Sequence, residues 1–196
     1  MDKYGTGADP YIDPATGVLR NKLGIADEKQ LEQAQAMFAA RASKAWQDRP
    51  AADGFDLKHL QAIHEHLFRA VFDWAGQLRT IDISKGASRF ASAQYIVSGS
   101  KPVFSELARE RQGLRDANRE QFASRAAYYL GEINALHPFR EGNGRAQREF
   151  ISQLARDCGY QIRWAGISQQ EMVAALVASM QGDLGYLEQL LLGHLS

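Results

Sequence analysis

Residues 137 to 148, HPFREGNGRAQR, bring together groups that are suited to handling a nucleotide. A glycine turn that opens a helix leaves backbone N–H groups without partners and points the positive end of the helix dipole at an anion. Glycine also removes the Cβ that would block close approach of the backbone to a phosphate. The turn therefore predicts an anion hole for phosphates, formed by Gly142, Asn143 and Gly144.

Charged and titratable side chains flank this turn. Arg145 and Arg148 lie three positions apart on one face of the following helix, where their guanidiniums can clamp further phosphate oxygens. His137 precedes Pro138, which disfavours the helical region for the residue before it and turns the imidazole out of the helix. A histidine poised near neutral pH can take a proton from an attacking hydroxyl. Glu141 offers a hard oxygen ligand that suits Mg²⁺ beside phosphates.

The elements that must position this stretch are mostly helices. Residues 1 to 24 are rich in Gly, Asp and Pro, so we expect an extended surface arm anchored by Tyr4, Tyr11 and Leu23. Asp56 starts an apolar stripe of helical spacing that ends at Gly76. Other helical patterns cover residues 27 to 47, 93 to 114, 119 to 136, 143 to 158, 168 to 180 and 184 to 192.

The pattern changes period only once, in residues 78 to 92, which we call the flap. Residues 78 to 83 alternate at a period of two, residues 85 to 88 have turn chemistry, and residues 89 to 91 can return as a second strand. A hairpin here is either a simple connector or an exposed edge that pairs with an extended segment of a partner protein. The predicted architecture is mainly α, a helical bundle with one β-hairpin, in a single domain of 196 residues.

Composition limits the classes of partner. Lys plus Arg equals Asp plus Glu, at 23 each, so no general basic field favours direct binding of nucleic acid or of an anionic membrane. A single cysteine, Cys158, excludes an internal disulfide and fits a reducing compartment. The N-terminus has no apolar signal segment, and no apolar run approaches the ~20 residues that span a bilayer. We expect a cytoplasmic protein, or a domain cut from a longer secreted effector.

The stretch 137 to 148 resembles the signature of the Fic family, H-x-F-x-[DE]-G-N-G-R-x-x-R, at every fixed position. The upstream sequence Ile63-His64-x-x-Leu67-Phe68, with Phe72-x-Trp74-Ala75-Gly76-x-x-Arg79 after it, is similar to the helix and helix exit of that family. Residues 9 to 25 are similar to the start of bacterial Fic toxins of the FicT and VbhT kind.

The resemblance implies a function and a role for each residue. It implies a Fic fold in which His137 is the general base and Glu141 holds the Mg²⁺ that bridges the α- and β-phosphates of ATP. The motif arginines bind the β- and γ-phosphates. The flap docks the target protein, and Ile81, Ile83 and Phe90 are its expected docking residues. The implied activity is protein adenylylation, the transfer of AMP from ATP to a hydroxyl side chain, with type II topoisomerases as targets (the gyrase B subunit and its topoisomerase IV counterpart).

Two alternatives stay open. Some relatives phosphorylate or phosphocholinate by turning the nucleotide around; the Doc-type kinase has alanine where this chain has Gly142 and lysine where it has Gly144, so both glycines favour adenylylation. The second alternative is a binding module without catalysis, against which the intact His137 speaks.

Restraint by a separate partner is also expected. Fic proteins are commonly restrained by a helix with the motif [ST]-x-x-x-E-[GN]. Here the only glutamate followed by Gly or Asn is Glu141, and the residue four before it is His137. The resemblance therefore implies a separate small antitoxin, anchored on Arg148.

Overall fold

The computed structural model describes residues 9–46, 54–86 and 88–196. Its helices are α1 (Glu28–Trp46), α2 (Leu57–Phe68), α3 (Ile96–Arg115), α4 (Arg119–Leu136), α5 (Asn143–Asp157), α6 (Gln169–Met180) and α7 (Gly185–His194). Two short strands, β1 (Ser84–Lys85) and β2 (Ser88–Arg89), form an antiparallel hairpin, and short 3-10 turns lie at Ala93–Tyr95 and Trp164–Gly166. The predicted class, mainly α with one β-hairpin, is confirmed.

Several helices begin where polar caps stop the chain from fraying. The Asp56 carboxylate accepts a 2.8 Å hydrogen bond from the backbone N–H three residues later, at the start of α2. Asn118 and Gln121 form a reciprocal capping box at α4, and Ser168 and Glu171 form another at α6. These caps satisfy N–H groups that have no partner within the helix, so they fix the first turn of each helix.

Helix α4 lies at the centre of the bundle and contacts α3, α5, α6 and α7. Its buried side chains include Phe122, Leu130 and Ile133, which are at most 1% exposed. Each such side chain contributes about 1.5–3 kcal/mol by leaving water. Because α4 ends at the residue before His137 and α5 begins six residues after it, this core fixes both ends of the motif loop. None of the helices in the described part of the chain has the length and apolar character needed to cross a bilayer.

The predicted end of the second helix at Gly76 is wrong. Helix α2 stops at Phe68, and the chain folds back so that the Gly76 N–H donates to His64 Nδ1 at 2.9 Å. This return brings Gly76 against α2 with φ +80, where an added Cβ would lie 2.8 Å from the Glu65 Cβ. The apolar residues Val71 and Phe72 still reach the core, but from turns, which is why their spacing imitated a longer helix.

The predicted strand boundaries of the flap are also wrong. The paired residues are Ser84 with Arg89 and Lys85 with Ser88, beyond the stretch 78 to 83 that alternates in the sequence. At the start of that stretch the Arg79 N–H donates to the Pro138 carbonyl at 2.9 Å, and at its end the Ile83 carbonyl accepts from the Phe90 N–H at 3.5 Å. The alternation instead records which side chains face the core.

The N-terminal arm does not run extended. The Asp13 carboxylate accepts from the Ala15 N–H at 2.9 Å and starts a turn that brings Ile12 and Leu19 together as an isolated antiparallel bridge. The Asp9 carboxylate accepts from Arg140 Nε at 2.6 Å, with both side chains buried, and so ties the arm to the motif loop.

The predicted anchors of the arm have different outcomes. Tyr11 packs its ring edge-on to Trp74, with 5.3 Å between centroids, and its hydroxyl accepts from the Thr80 N–H at 3.1 Å, so this anchor is confirmed. Leu23 is 37% exposed and is not an anchor; among residues 9 to 24, Val18, 8% exposed, is the buried one. Tyr4 lies outside the described residues.

Candidate active site

His137 occupies the turn between α4 and α5 in a left-handed conformation, with φ 43 and ψ 61. It is the single non-glycine residue with positive φ in the described ranges. Such a conformation costs of order 1–3 kcal/mol and persists only where surrounding contacts enforce it. The following Pro138 and the bonds to the His137 carbonyl described below supply that enforcement, so the imidazole is held out of the helical path.

The His137 imidazole is buried and electrically neutral. Its Nδ1 lies 3.3 Å from the Asn134 carbonyl, which can only accept, so Nδ1 carries the proton and Nε2 carries the lone pair. The Phe90 ring stacks on it, with 3.7 Å between centroids. Burial lowers the His137 pKa to about 3; the nearby Glu141 acts to raise this pKa, and the cations of Arg79 and Lys85 act to lower it. At neutral pH the ring is therefore ready to accept a proton at Nε2.

Arg79 fixes the backbone around His137, a role that sequence reasoning about chemistry missed. Its side chain is 2% exposed, and its Nε donates to the His137 carbonyl at 2.8 Å. Its Nη atoms donate to the carbonyls of Ile81 at 2.6 Å, of Leu136 at 3.3 Å and of Ala91. The only sequence signal was its position in the family resemblance.

The motif loop is closed by Asn143. Its side-chain oxygen accepts from the Phe139 N–H at 2.9 Å, and its side-chain nitrogen donates to the Phe139 carbonyl at 2.7 Å. The amide is thus used inside the protein, and what Asn143 can offer an anion is the backbone N–H of the first residue of α5. The buried Phe139 ring stacks on His64, with 3.9 Å between centroids, and anchors the loop in the core.

His64 is the second residue that sequence reasoning undervalued, since its chemistry lies in orienting a peptide. The fully buried ring accepts the Gly76 N–H at Nδ1, so Nε2 carries the proton and donates to the Glu141 carbonyl at 2.8 Å. Burial lowers its pKa to about 4, which keeps it neutral. The bond to His64 therefore holds the Glu141 carbonyl against α2, one residue before the turn at Gly142 that opens α5.

The two motif glycines are required for different reasons. Gly142 has φ +84, and an added Cβ would lie 2.5 Å from the Phe68 ring and 3.2 Å from His64 Nε2. Gly144 is helical, and an added Cβ would meet only the Arg148 Nη1, at 3.6 Å. The protein's own packing therefore demands glycine at 142. At 144 the open space over the helix start fits the approach of an anion.

Glu141 and Arg145 lie at the mouth of this helix start. The Glu141 Oε1 accepts from the Gly142 N–H at 3.0 Å and lies 4.0 Å from the Arg145 Nη2. Arg145 also donates to the Gln35 side-chain oxygen at 2.9 Å and lies over the Phe68 ring, 4.9 Å from its centroid. Helix α1 therefore helps to orient the first motif arginine.

Arg148 is the less engaged of the two motif arginines. Within residues 9–46, 54–86 and 88–196 its guanidinium makes no recorded hydrogen bond or ion pair. Burial, with the Arg145 cation as a second cause, lowers its pKa, which shows a cation held in an unfavourable environment. A phosphate or carboxylate beside it would relieve that cost.

A groove of about 250 Å³ runs from the two arginines between α1 and α5. One wall is formed by small side chains of α1 and the other by Ser152 and Trp164; the α1 residues are Ala36, Ala39, Ala40 and Ser43.

The flap residues predicted to dock a target are placed differently from one another. Ile83 is 2% and Phe90 8% exposed, and they form a small apolar cluster with the partly buried Ile81 and Met180. Their side chains hold the flap to the protein. The segment that protrudes beyond them is the β1–β2 hairpin itself.

Three other histidines have structural partners. His59 bonds the Gln153 side chain, His66 the Ala42 carbonyl and His194 the Leu190 carbonyl. In the described part of the chain, no group of three or more His, Cys, Asp or Glu side chains is placed to hold a metal. A metal at Glu141 would therefore depend on oxygens supplied by the nucleotide.

Comparison with known proteins agrees with this geometry. Residues 54–155 match the Fic/DOC family. The chain is 45% identical over its whole length to the protein adenylyltransferase VbhT of Bartonella schoenbuchensis, of which it spans 41%. It is 39% identical to the probable protein adenylyltransferase Fic of Escherichia coli over 96% of this chain and 93% of that one. BepC of Bartonella tribocorum, solved with bound AMPPNP, has a similar fold, with a TM-score of 0.88 at 26% identity over 95% of this chain and 96% of that one. His137, Glu141 and the two arginines at the start of α5 all lie within the matched segment, and the chain belongs to the Fic/DOC family.

Proposed function

We propose that this chain is a protein adenylyltransferase that moves AMP from ATP to a hydroxyl side chain of a target protein. The observation that carries the proposal is the neutral His137, whose Nδ1 faces the Asn134 carbonyl so that Nε2 is the basic nitrogen. It lies one short loop away from the helix start that carries Arg145 and Arg148. The names of the relatives, at 39 to 45% identity, support the same activity.

The proposed reaction uses positioning and electrostatics. The N–H groups at the start of α5 and the two guanidiniums bind the triphosphate. His137 Nε2 takes the proton of the target hydroxyl, whose oxygen forms a bond to the α-phosphorus as the bond from that phosphorus to the β-phosphate bridging oxygen breaks. The products are the AMP-modified protein and pyrophosphate. No covalent intermediate with the enzyme is needed.

Mg²⁺ is the proposed cofactor, held by Glu141. The fit rests on a single hard carboxylate beside a phosphate-binding helix start, because Mg²⁺ usually takes one or two carboxylates together with phosphates and waters. Bound there, the ion would neutralise charge on the phosphates. We expect Glu141→Gln to remove most of the difference between ATP affinities measured with Mg²⁺ and with EDTA. An undiminished difference would assign the metal to other ligands.

Other nucleotide chemistry is the competing function. The Doc-type kinase carries alanine at the position of Gly142, where this chain would bring the alanine Cβ to 2.5 Å from Phe68. The local packing is thus built around glycine, which favours adenylylation over phosphorylation in this chain. A non-catalytic module would not need the strained conformation of His137.

Labelled ATP separates these functions. A bacterial lysate incubated with the protein and with ATP labelled separately at the α- and γ-phosphates should acquire only the α label. Mass spectrometry should find an added AMP on a Ser, Thr or Tyr hydroxyl, and His137→Ala should not add it. Transfer of the γ label would indicate a kinase, and no transfer would indicate a binding module.

We further propose that the flap docks the target and that the targets are type II topoisomerases, the gyrase B subunit and its topoisomerase IV counterpart. Since Ile83 and Phe90 are buried, the docking edge is the backbone of the β1–β2 hairpin, with Ile81 at its base. Purified gyrase B and topoisomerase IV subunits should become labelled in the assay above, whereas a matched unrelated ATPase should not.

We also propose that a small antitoxin carrying [ST]-x-x-x-E-[GN] on a helix restrains the enzyme. The groove between α1 and α5 supports this, because small side chains at helical spacing allow a second helix to lie close, and Arg148 at its end suits a glutamate. Expression of the chain alone should arrest growth, and co-expression of such a helix should restore it. Ala36→Trp should fill the groove and cancel the rescue, while the control Met37→Trp, at an exposed position of the same helix, should not.

A further inference from the structure

Arg79 hydrogen-bonds three segments around the catalytic loop. These segments also contact one another, because the Ala91 N–H donates to the Ala135 carbonyl at 2.9 Å and the Ala93 N–H to Asp82 Oδ1 at 2.7 Å. Its donors bind the carbonyl of Ile81, before the hairpin, and that of Ala91, after it. They also bind the carbonyls of Leu136 and His137, at the end of α4. No other side chain type carries five donors in one planar fork, so this set of bonds is specific to arginine.

The cost of this arrangement indicates that it serves more than packing. The guanidinium is almost completely buried, and the carboxylate of Asp82, 54% exposed, lies 4.0 Å from its Nη1. Burial of a cation costs several kcal/mol unless its hydrogen bonds are complete. A neutral side chain could join two loops at lower cost, but it could not hold four carbonyls at once.

The bonds from Arg79 to these carbonyls affect both the backbone of His137 and the Phe90 ring that covers its imidazole. The bond to the His137 carbonyl supports the left-handed conformation that presents the imidazole. The bond to the Ala91 carbonyl fixes the residue next to Phe90, whose ring covers the same imidazole at 3.7 Å. One side chain therefore bonds both the backbone of the base and the residue beside the ring that covers it.

We propose that Arg79 is a positioning residue for His137, which acts by locking the flap and the catalytic loop into one geometry. The proposal rests on the proposed function for its kinetic consequence. It predicts that a change at Arg79 acts on turnover, because displacement of a catalytic group by about 1 Å can cost on the order of 10²-fold in rate. The triphosphate site at α5 should be spared, because the hydrogen bonds of Arg79 go to the flap and to the end of α4, whereas Arg145 lies against Gln35 and Glu141.

The kinetic test compares Arg79→Met and Arg79→Lys with Arg125→Met, an arginine that pairs with Glu106 and Glu110 far from the motif. Both Arg79 variants should lower kcat by about 10- to 100-fold while the Kd for ATP changes less than twofold. Lysine should not rescue, because a point charge cannot bind four carbonyls. Arg125→Met should lower Tm without changing kcat. Unchanged kcat in the Arg79 variants, or an equal loss in ATP affinity, would overturn the proposal.

A second measurement does not depend on activity. In the wild-type protein the Phe90 ring current should shift the NMR signal of the His137 Cε1 proton, which His137→Gln identifies by its loss. Both Arg79 variants should move this signal toward its position in Phe90→Ala. When Arg79→Met and Phe90→Ala are combined, the chemical shift and kcat should differ little from those of either single variant. An unmoved signal, or fully additive effects, would overturn the proposal. If the wild-type protein transferred no AMP, the proposed function would fail, and the NMR comparison would still decide the role of Arg79.

Discussion

His137 is neutral because of what surrounds it, and that neutrality is the property a general base requires. Two features of its environment differ from those of a solvated histidine: its Nδ1–H is committed to the Asn134 carbonyl, and Phe90 covers its ring. The motif predicted which residue is the base, but neither its tautomer nor its cover. The tautomer depends on the backbone carbonyl of Asn134, outside the motif, and the cover is Phe90, 47 positions before it.

We expect His137→Ala to lower AMP transfer by about 10²- to 10⁴-fold, the usual contribution of a general base. ATP affinity should stay within about twofold, because the phosphate-binding groups of α5 are untouched. Calorimetric titration with ATP and single-turnover transfer assays measure the two effects. His66→Ala, at a histidine bonded to the Ala42 carbonyl, is the matched control and should keep full activity. Near-normal transfer by His137→Ala would remove this residue from the mechanism.

The pH dependence of the reaction should follow the cover over His137. With its pKa lowered to about 3 by burial, the imidazole stays neutral and active throughout the range from pH 5 to 8. Phe90→Ala admits water, which favours the protonated form, so the His137 pKa should rise toward 6.5 and the acid limb of kcat should move up with it. Rate profiles of the two proteins give the result. Val97→Ala, at an exposed residue of α3, is the control. Superimposable profiles for wild type and Phe90→Ala would show that the ring does not set this pKa.

At the scale of elements, the start of α5 is assembled from two sides. Asn143 closes the loop on Phe139, and His64 of α2 holds the Glu141 carbonyl. The helix dipole and the free N–H groups then face the same space as the motif arginines. The two glycines of this turn provide a paired test of which contacts belong to the fold and which to the ligand.

We expect Gly142→Ala to destabilise the protein by about 1–3 kcal/mol or more, since it combines a positive φ with a Cβ 2.5 Å from Phe68. Gly144→Ala should leave Tm unchanged or slightly raised, because alanine is favoured in helices, but should weaken ATP binding. Thermal unfolding and ATP titration of both variants provide the comparison. Equal effects of the two substitutions on stability, or unchanged ATP affinity in Gly144→Ala, would contradict this division.

How far the sequence predicts these elements depends on the range of the interactions. Helices with local caps and periodic apolar stripes, such as α4 and α6, were predicted to within a residue or two, because their signals are contained in the element. The end of α2 and the strands of the flap were wrong, because Gly76 and the segment after Arg79 bond to distant partners instead of continuing their local pattern. His64 and Arg79 donate hydrogen bonds to backbone carbonyls, and such a role cannot be predicted from a motif of side chains.

For the whole molecule, two buried neutral histidines make the free energy of unfolding depend on pH. His64 and His137 have folded pKa values of about 4 and about 3, below the 6.5 of the unfolded chain. The unfolded state therefore binds protons first as the pH falls, and stability is lost from about pH 6.5 downward until the folded pKa values are reached. Pairing with Arg111 and Arg115 lowers the pKa of Asp157 to about 2. Protonation of Asp157 in the unfolded state therefore adds a further loss of stability below about pH 4.

We expect the free energy of unfolding to fall by about 2 kcal/mol per histidine between pH 7 and pH 5. His137→Ala should lose only about half as much over the same range, since one of the two linked groups is gone. Urea denaturation of both proteins at the two pH values measures this. An identical pH dependence in the variant would show that His137 titrates normally in the folded protein.

The buried ion pair of Asp9 and Arg140 has a consequence for truncated forms of this protein. The family match spans residues 54–155, yet the carboxylate that neutralises Arg140 lies at residue 9 and the amide that orients Arg145 lies at residue 35. Removal of one partner from a buried ion pair costs about 3–5 kcal/mol, which is a large share of the stability of a small domain. A fragment limited to residues 54–155 would therefore contain the whole signature and still lack Asp9, the carboxylate that neutralises Arg140 within it. The segment that this protein needs for a stable site is longer than the segment that matches the family.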